Sequence, residues 1–124
     1  MIINPYDKRA MRAAHLCCHD DGDKAVGLTS GTFDLFHDYH LRYLERCRRL
    51  CDVLVVGVDS DASVRKVKGP DRPILSEFQR LILMDANKYV TFCYIQDSLE
   101  AFAKVAEALY ARKGKYISQR GFFG

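Results

Sequence analysis

The 124-residue chain has no apolar run that approaches the ~20 residues needed to cross a bilayer. Its start, MIINPYDKRAMR, lacks the basic stretch followed by an apolar one that marks a secretory leader. Together these absences predict a cytoplasmic protein with no membrane partner. No Cys-x-x-Cys spacing occurs, and the five cysteines, Cys17, Cys18, Cys47, Cys51 and Cys93, are an odd number with one adjacent pair. That argues against a disulfide framework and for a reducing compartment. His15, Cys17, Cys18 and His19 cluster locally, but zinc-type spacings are missing and adjacent cysteines on a helix point in different directions, so no metal site is expected there. The net charge of +3 is small, with no basic stripe and no interleaved aromatics, so no nucleic-acid partner is expected. GxGxxG is absent after the first strand, and no acidic residue closes the second strand in the required setting, Asp59 being the nearest. A dinucleotide-binding Rossmann domain is therefore disfavoured.

What is present is a regular alternation of strand and helix signals in a chain of single-domain length. From Pro5 to His19 the spacing of Ala10, Met11, Ala14, Leu16 and Cys18 predicts a helix, and Asp20 to Asp23 a polar turn. Residues 1–23 are read as this helix and turn, and residues 24–124 as the main domain. Lys24 to Thr29 is a short apolar run that enters a turn at Ser30 and Gly31. Tyr39 to Leu50 places Leu41, Leu44, Cys47 and Leu50 on an amphipathic helix, with Cys47 and Cys51 as core thiols. Asp52 to Val58 is continuously aliphatic, the profile of a strand buried on both faces. A short helix over Ser60 to Val67 and a loop over Lys68 to Pro73 follow. Ser76 with Gln79 forms a capping box that opens a helix to Tyr89. Val90 to Ile95 returns to strand character, and Ser98 to about Ala111 is helical, with Leu99, Phe102, Val105, Ala106 and Leu109 on one stripe. The order predicts an α/β fold with a single open parallel sheet, right-handed crossovers, and ligands beyond the carboxyl ends of the strands.

The chemistry is expected near residues 30–40 and 59–68, which both follow a strand. The first turn reads T-S-G-T-F-D-L-F-H-D-Y-H, from Thr29 to His40. Two histidines three apart are, taken alone, ordinary surface or core residues. Here His37 and His40 fall at the start of a helix, where free N–H groups and the positive end of the dipole favour phosphate. Three residues is close to one turn, so both imidazoles project from the same side and can donate to phosphate oxygens.

This turn, with His37-Asp38-Tyr39-His40 in the place of an HxGH motif, resembles the cytidylyltransferase-like nucleotidyltransferases. The stretch VGVDSDASVRKVKGPDRPI, from Val56 to Ile74, looks closest to the bacterial heptose-phosphate adenylyltransferase branch, with glycerol-phosphate cytidylyltransferases more distant. The resemblance runs from about Lys24 to Asp97 and implies a Rossmann-like nucleotidyltransferase fold with three αβα layers. It implies that Thr29, Ser30, Gly31, Thr32 and Phe33 line the nucleotide site, and that His37 and His40 hold the triphosphate. Lys66 or Lys68 would neutralise phosphate charge, and Arg80 would reach the pyrophosphate or sugar phosphate. Asp34, Asp59, Ser60 and Asp61 would lie beside the acceptor. The implied reaction transfers a nucleoside monophosphate, AMP from ATP in preference to CMP from CTP, to a sugar or polyol phosphate and releases pyrophosphate. Mg²⁺ would be bound through the nucleotide phosphates, with no dedicated protein metal site. A homodimer is the assembly the family suggests.

Two departures weigh on this reading. Tyr39 stands where the family has glycine, which lets phosphate approach without a Cβ in the way; a tyrosine either crowds the triphosphate or swings outward to stack on a base or sugar. After the last helix only Lys113-Gly114-Lys115-Tyr116 and Ile117-Ser118-Gln119-Arg120 echo the family's later motifs, which predicts a fold truncated at its C-terminal end. Phe122 and Phe123 would suit an interface or a frayed tail. A catalytically weak nucleotide-binding or assembly module that keeps the fold is the alternative. Asp34 as a turn or capping residue, the lysines as a solvated face, and Arg80 as an exposed helix arginine are the plain readings of those residues.

Overall fold

A computed structural model describes residues 1–19, 24–110 and 115–116. The expected turn at Asp20 to Asp23, the echoes at Lys113, Gly114 and Ile117 to Arg120, and Phe122 and Phe123 lie outside the described residues. In chain order the elements are α1 (Lys8–His19), β1 (Val26–Gly31), α2 (Asp38–Arg49), β2 (Val53–Asp59), α3 (Asp61–Lys68), α4 (Glu77–Asp85), β3 (Phe92–Gln96), α5 (Leu99–Tyr110) and β4 (Lys115–Tyr116). The strands form one sheet in the order β3-β2-β1-β4, and every pairing is parallel. This is the open parallel α/β sheet that the sequence pattern predicts. Among the described residues no helix is long and apolar enough to cross a membrane.

The period of the strands divides the core in two. Val26 and Leu28 of β1, Val53 and Val55 of β2, and Phe92 and Tyr94 of β3 face one side, where they meet Met11, Ala14 and Cys18 of α1 and Ala101, Val105 and Leu109 of α5. Leu54, Val56, Val58 and Cys93 face the other side and pack with Tyr43, Leu44 and Cys47 of α2 and Leu81 and Met84 of α4. The result is a three-layer αβα sandwich. Each fully buried aliphatic side chain contributes roughly 1.5–3 kcal/mol, so the unbroken run of β2 dictates its place inside the sheet.

Helix faces differ in detail from the expected stripes. On α2 the residues every three positions include Leu41 and Leu50, which are exposed, while Tyr43 is buried. A spacing of three drifts around a helix of 3.6 residues per turn, and Tyr43 is drawn inward because its hydroxyl shares a hydrogen bond of 2.6 Å with Thr29 Oγ1. Leu16 and Leu99 are likewise exposed. The helix opened by Ser76 and Gln79 has the expected capping box but stops at Asp85, not at Tyr89. Ala86 caps it, and Asn87 Oδ1 then accepts from the Tyr89 backbone N–H in a side-chain turn that competes with helix.

From β1 the chain builds outward to β2 and β3, then returns through α5 to place β4 on the opposite flank of β1. The direction of growth reverses at β1, and a crevice at the carboxyl end of that strand is the position such sheets offer to ligands.

Candidate functional site

The turn leaving β1 is shaped by crowding. A Cβ on Gly31 would sit 3.0 Å from Phe33 Cε2, so the glycine makes room for the Phe33 ring. Phe33 and Leu35 both have positive φ, 52° and 49°, a backbone region that L residues seldom occupy. The fold holds Phe33 there by burying its ring. Beside this turn lies a cavity of about 190 Å³, lined by Gly31, Thr32, Phe33, Asp34 and His40 from the β1–α2 segment and by Lys68 and Arg72 from across the crevice. Larger depressions lie between α1 and α5, around Lys8, Met11 and Ala108, but their walls carry none of the predicted site residues.

His37 is the N-cap of α2, with extended backbone (φ −140°, ψ −176°). Its Nδ1 accepts from the Tyr39 backbone N–H at 3.2 Å, and His40 Nδ1 accepts from the His37 backbone N–H at 3.2 Å, a reciprocal capping box built from two imidazoles. An imidazole that accepts at Nδ1 carries its proton at Nε2. Both rings thus present an Nε2–H donor away from the backbone. Their centroids are 4.0 Å apart at an interplanar angle of 26°. Phe36 stacks on His40 at 5.4 Å and Phe33 meets it edge-on at 5.7 Å. Burial, then the neighbouring His37 and Lys68, lowers the His40 pKa from its ordinary value of 6.5. Tyr39 is half exposed, its ring centroid 6.3 Å from that of His37.

Arg80 is not the exposed helix arginine of the plain reading. Its side chain is wholly buried and spends four N–H donors on the protein: Nε to the Leu75 carbonyl at 3.0 Å, Nη1 to the carbonyls of Thr32 at 2.8 Å and Asp59 at 2.7 Å, and Nη2 to Asp61 Oδ1 at 2.9 Å. It ties together the ends of β1 and β2, the start of α3 and the approach to α4. Asp34 plays a similar part, its two oxygens accepting from the backbone N–H groups of Ile74 at 2.7 Å and Leu75 at 2.9 Å. Burial works against ionisation of Asp34, but these bonds and the nearby Arg80 charge outweigh it and lower its pKa.

The remaining predicted residues separate. Ser60 is buried as the N-cap of α3, accepting from Ser63 N and donating to Ser63 Oγ. Asp61 is engaged by Arg80, and its backbone N–H donates to Glu77 Oε1 at 2.9 Å. Asp59 closes β2; burial raises its pKa against the pull of Arg80, Lys68 and a hydrogen bond with Thr32. Thr29 is buried against Tyr43, and Ser30 is outside the cavity wall. Lys68 lines the cavity and Lys66 does not, as expected for residues two apart on a helix. The structure thus brings Gly31, Thr32, Phe33, Asp34, His40 and Lys68 to one cavity, with His37 stacked at its edge. It does not bring Thr29, Ser30, Asp59, Ser60, Asp61, Lys66 or Arg80 there. Arg72, which sequence reasoning passed over, does line it. The available signal was its place in the KGPDRP loop, two residues after a proline.

Among the described residues no group of three or more His, Cys, Asp or Glu could hold a metal ion. Around the cavity, both Asp34 oxygens and one of Asp61 already accept protein donors. This donor set fits a Mg²⁺ that arrives on phosphate oxygens and keeps water ligands, and does not fit a closed protein cage. In the cluster on α1 the His15 and His19 rings lie 4.6 Å apart, His15 Nδ1 bonds the Ala108 carbonyl at 2.7 Å and His19 Nε2 the Leu109 carbonyl at 3.1 Å, while Cys18 is buried and Cys17 exposed.

Comparison with known proteins gives the family. A family profile described as Cytidylyltransferase-like matches residues 28–116, from within β1 through β4. Bifunctional protein HldE of Campylobacter jejuni subsp. doylei is 51% identical over 75 residues, which are 60% of this chain and 16% of that protein. Bifunctional protein HldE of Syntrophotalea carbinolica is 38% identical over 99 residues, 77% of this chain and 20% of the relative. The chain therefore matches about a sixth to a fifth of the length of these curated relatives. The crystal structure of the lipopolysaccharide core biosynthesis protein from Thermoplasma volcanium GSS1 shares the fold, with a TM-score of 0.57 at 23% identity, covering 77% of this chain and 95% of that one. With the family profile spanning the sheet and the histidine turn at the end of β1, the chain belongs to the cytidylyltransferase-like family of nucleotidyltransferases.

Proposed function

We propose that this chain is a nucleotidyltransferase domain that moves a nucleoside monophosphate from a nucleoside triphosphate, ATP in preference to CTP, onto a sugar or polyol phosphate with release of pyrophosphate. The observation that carries this reading is the stacked pair His37 and His40, capping α2 through Nδ1 and offering Nε2–H at the edge of a cavity beyond β1. The preference for ATP rests on the stretch from Val56 to Ile74, which resembles the heptose-phosphate adenylyltransferases.

In this reaction an oxygen of the acceptor phosphate attacks the α-phosphorus, and the bond from that phosphorus to the bridging oxygen of the β-phosphate breaks. The electron pair leaves with pyrophosphate. The attacking oxygen is already ionised, so no general base is needed, and no covalent enzyme intermediate forms. The two Nε2–H groups and Lys68 would stabilise charge that grows on the transferring and leaving groups, each well-aimed donor contributing on the order of 10²–10³ in rate. Mg²⁺ held by phosphate and water oxygens would neutralise part of the triphosphate charge. Arg80 and Asp34 act as positioning residues that fix the turn and its opposite wall.

Tyr39 favours a second reading. At a position where the family has glycine, a side chain beside His37 suits a domain that binds a nucleotide or assembles without efficient transfer. A pyrophosphate-release assay with ATP and CTP against a panel of sugar and polyol phosphates decides between them. Release with ATP and one acceptor, lost on His37→Asp, is the expected result; ATP binding with no release from any acceptor would establish the second reading. The same proposal takes residues 24–124 as the transferase unit, with 1–23 as an N-terminal helix and turn, in the cytoplasm. It takes a homodimer as the assembly, which light scattering reads directly.

A further inference from the structure

The guanidinium that the resemblance assigns to phosphate, Arg80, is consumed by four protein acceptors. The cavity nevertheless has an arginine. Gly69 caps α3 with φ +100°, a conformation that favours glycine, and turns the chain back on itself. The Arg72 backbone N–H closes this turn on the Gly69 carbonyl at 3.3 Å. As a result Lys68, in the last turn of α3, and Arg72, four residues on, line one wall of the same cavity that His40 lines from α2.

Among the described residues neither cation has a close counter-ion. Among the described residues no carboxylate forms an ion pair with either, and the Arg72 side chain makes no hydrogen bond. Asp59 attracts Lys68 only at longer range, and Asp34, in the same cavity, has both oxygens bound by backbone N–H groups. At about 190 Å³ the cavity is smaller than the ~300 Å³ at which whole small-molecule sites begin. It suits the charged end of a ligand, not its base or sugar.

We infer that Lys68 and Arg72 together form a two-cation seat for a phosphoryl group with free terminal oxygens, and that Arg72, not Arg80, is the arginine that meets the substrate. The seat deepens the transferase reading and rests on it for the identity of the substrate. The phosphoryl group is either the β,γ end of the triphosphate or the phosphate of the acceptor; a planar guanidinium fork with an ammonium point charge beside it fits both.

Isothermal titration calorimetry on the full chain with Mg²⁺, using inorganic pyrophosphate, ATP and glucose 1-phosphate as separate probes, tests the seat. Arg72→Ala should weaken at least one probe by about 10- to 100-fold and reduce the dependence of affinity on salt, whereas Arg72→Lys, which keeps the charge, should weaken it less and leave that dependence in place. Loss confined to pyrophosphate and ATP assigns the seat to the triphosphate; loss confined to glucose 1-phosphate assigns it to the acceptor. Arg65→Ala removes the same charge from an exposed position on α3 and should leave all three affinities unchanged. Arg72 is exposed, so the melting temperature of the Arg72→Ala protein should match the parent and separate binding from folding. Unchanged affinities in Arg72→Ala, or an equal loss in Arg65→Ala, would overturn the seat. A parent protein that binds pyrophosphate through Arg72 but never transfers would overturn the transferase reading alone. A transferring protein indifferent to Arg72→Ala would overturn the seat alone.

Discussion

Arg80 and Asp61 form an ion pair of 2.9 Å in which the guanidinium is wholly buried and the carboxylate is a quarter exposed. The pair is asymmetric, because Arg80 also donates to three backbone carbonyls while Asp61 keeps contact with solvent. Removing the arginine strands buried carbonyls from three segments. Arg80→Ala should therefore lower folding stability by about 3–5 kcal/mol. Asp61→Asn, which retains an Oδ1 acceptor, should cost less than half of that. Urea denaturation of the two variants measures the difference, and equal losses would contradict the framework role.

His37 serves the helix as a cap and, in the proposed reaction, the phosphate as a donor. Substitutions can divide these roles. His37→Ala loses the capping acceptor and should destabilise the fold by about 0.5–2 kcal/mol, whereas His37→Asp supplies a good N-cap and should melt near the parent temperature. The aspartate would repel phosphate, so pyrophosphate release in His37→Asp should fall about 100-fold or more. An active His37→Asp protein would remove His37 from the chemistry.

The depressed pKa of His40 sets a direction for acid sensitivity. Its folded value lies below the ordinary 6.5, so the unfolded chain binds the proton more readily. The contribution of His40 to stability is complete above 6.5 and is lost as pH falls towards the folded value. Protonation would also take Nδ1 away from the His37 backbone N–H. Asp59, with a raised pKa, has the opposite slope: its contribution is present below about 3.8 and is lost as pH rises through its folded value. Comparing parent with His40→Gln isolates the histidine. Thermal melts between pH 7.5 and 5 should fall more steeply for the parent, and parallel slopes would refute the assignment.

The cysteines give a test of packing independent of activity. Cys17 is exposed, while Cys18, Cys47, Cys51 and Cys93 are buried. Burial pushes the thiols of Cys18 and Cys47 up to about 11 and that of Cys93 up to about 12. Thiolate is the reactive form, so a disulfide reagent at neutral pH should modify one thiol of the native chain quickly and the other four only with denaturant. Rapid reaction of two or more would show that the packing is looser than described.

Local signals carried most of the architecture. The aliphatic run from Val53 to Val58, the capping box of Ser76 and Gln79, and the one-turn spacing of His37 and His40 each depend on residues close in sequence, and each is legible there. Arg80 was not legible as a buried residue, because its acceptors on Thr32, on Asp59 and Asp61, and on Leu75 come from three separate segments. Asp34 is similar: its partners Ile74 and Leu75 stand 40 and 41 positions away. The family resemblance puts Thr29 in the nucleotide site, yet its hydroxyl is claimed by Tyr43 from α2. Lys66 and Lys68 could be told apart only once the direction of α3 was known. Arg72 depended on Gly69, whose positive φ folds the loop back over the crevice.

The reversal of strand order at β1 also bears on how such a domain tolerates change. The notch beyond that strand arises from the path of the main chain, which diverges to left and right at a single point. Replacing the groups around it alters which anions stay and for how long, but leaves the indentation itself intact. A lineage could therefore trade one ligand for another by editing a few side chains on the rim while the supporting scaffold goes unaltered.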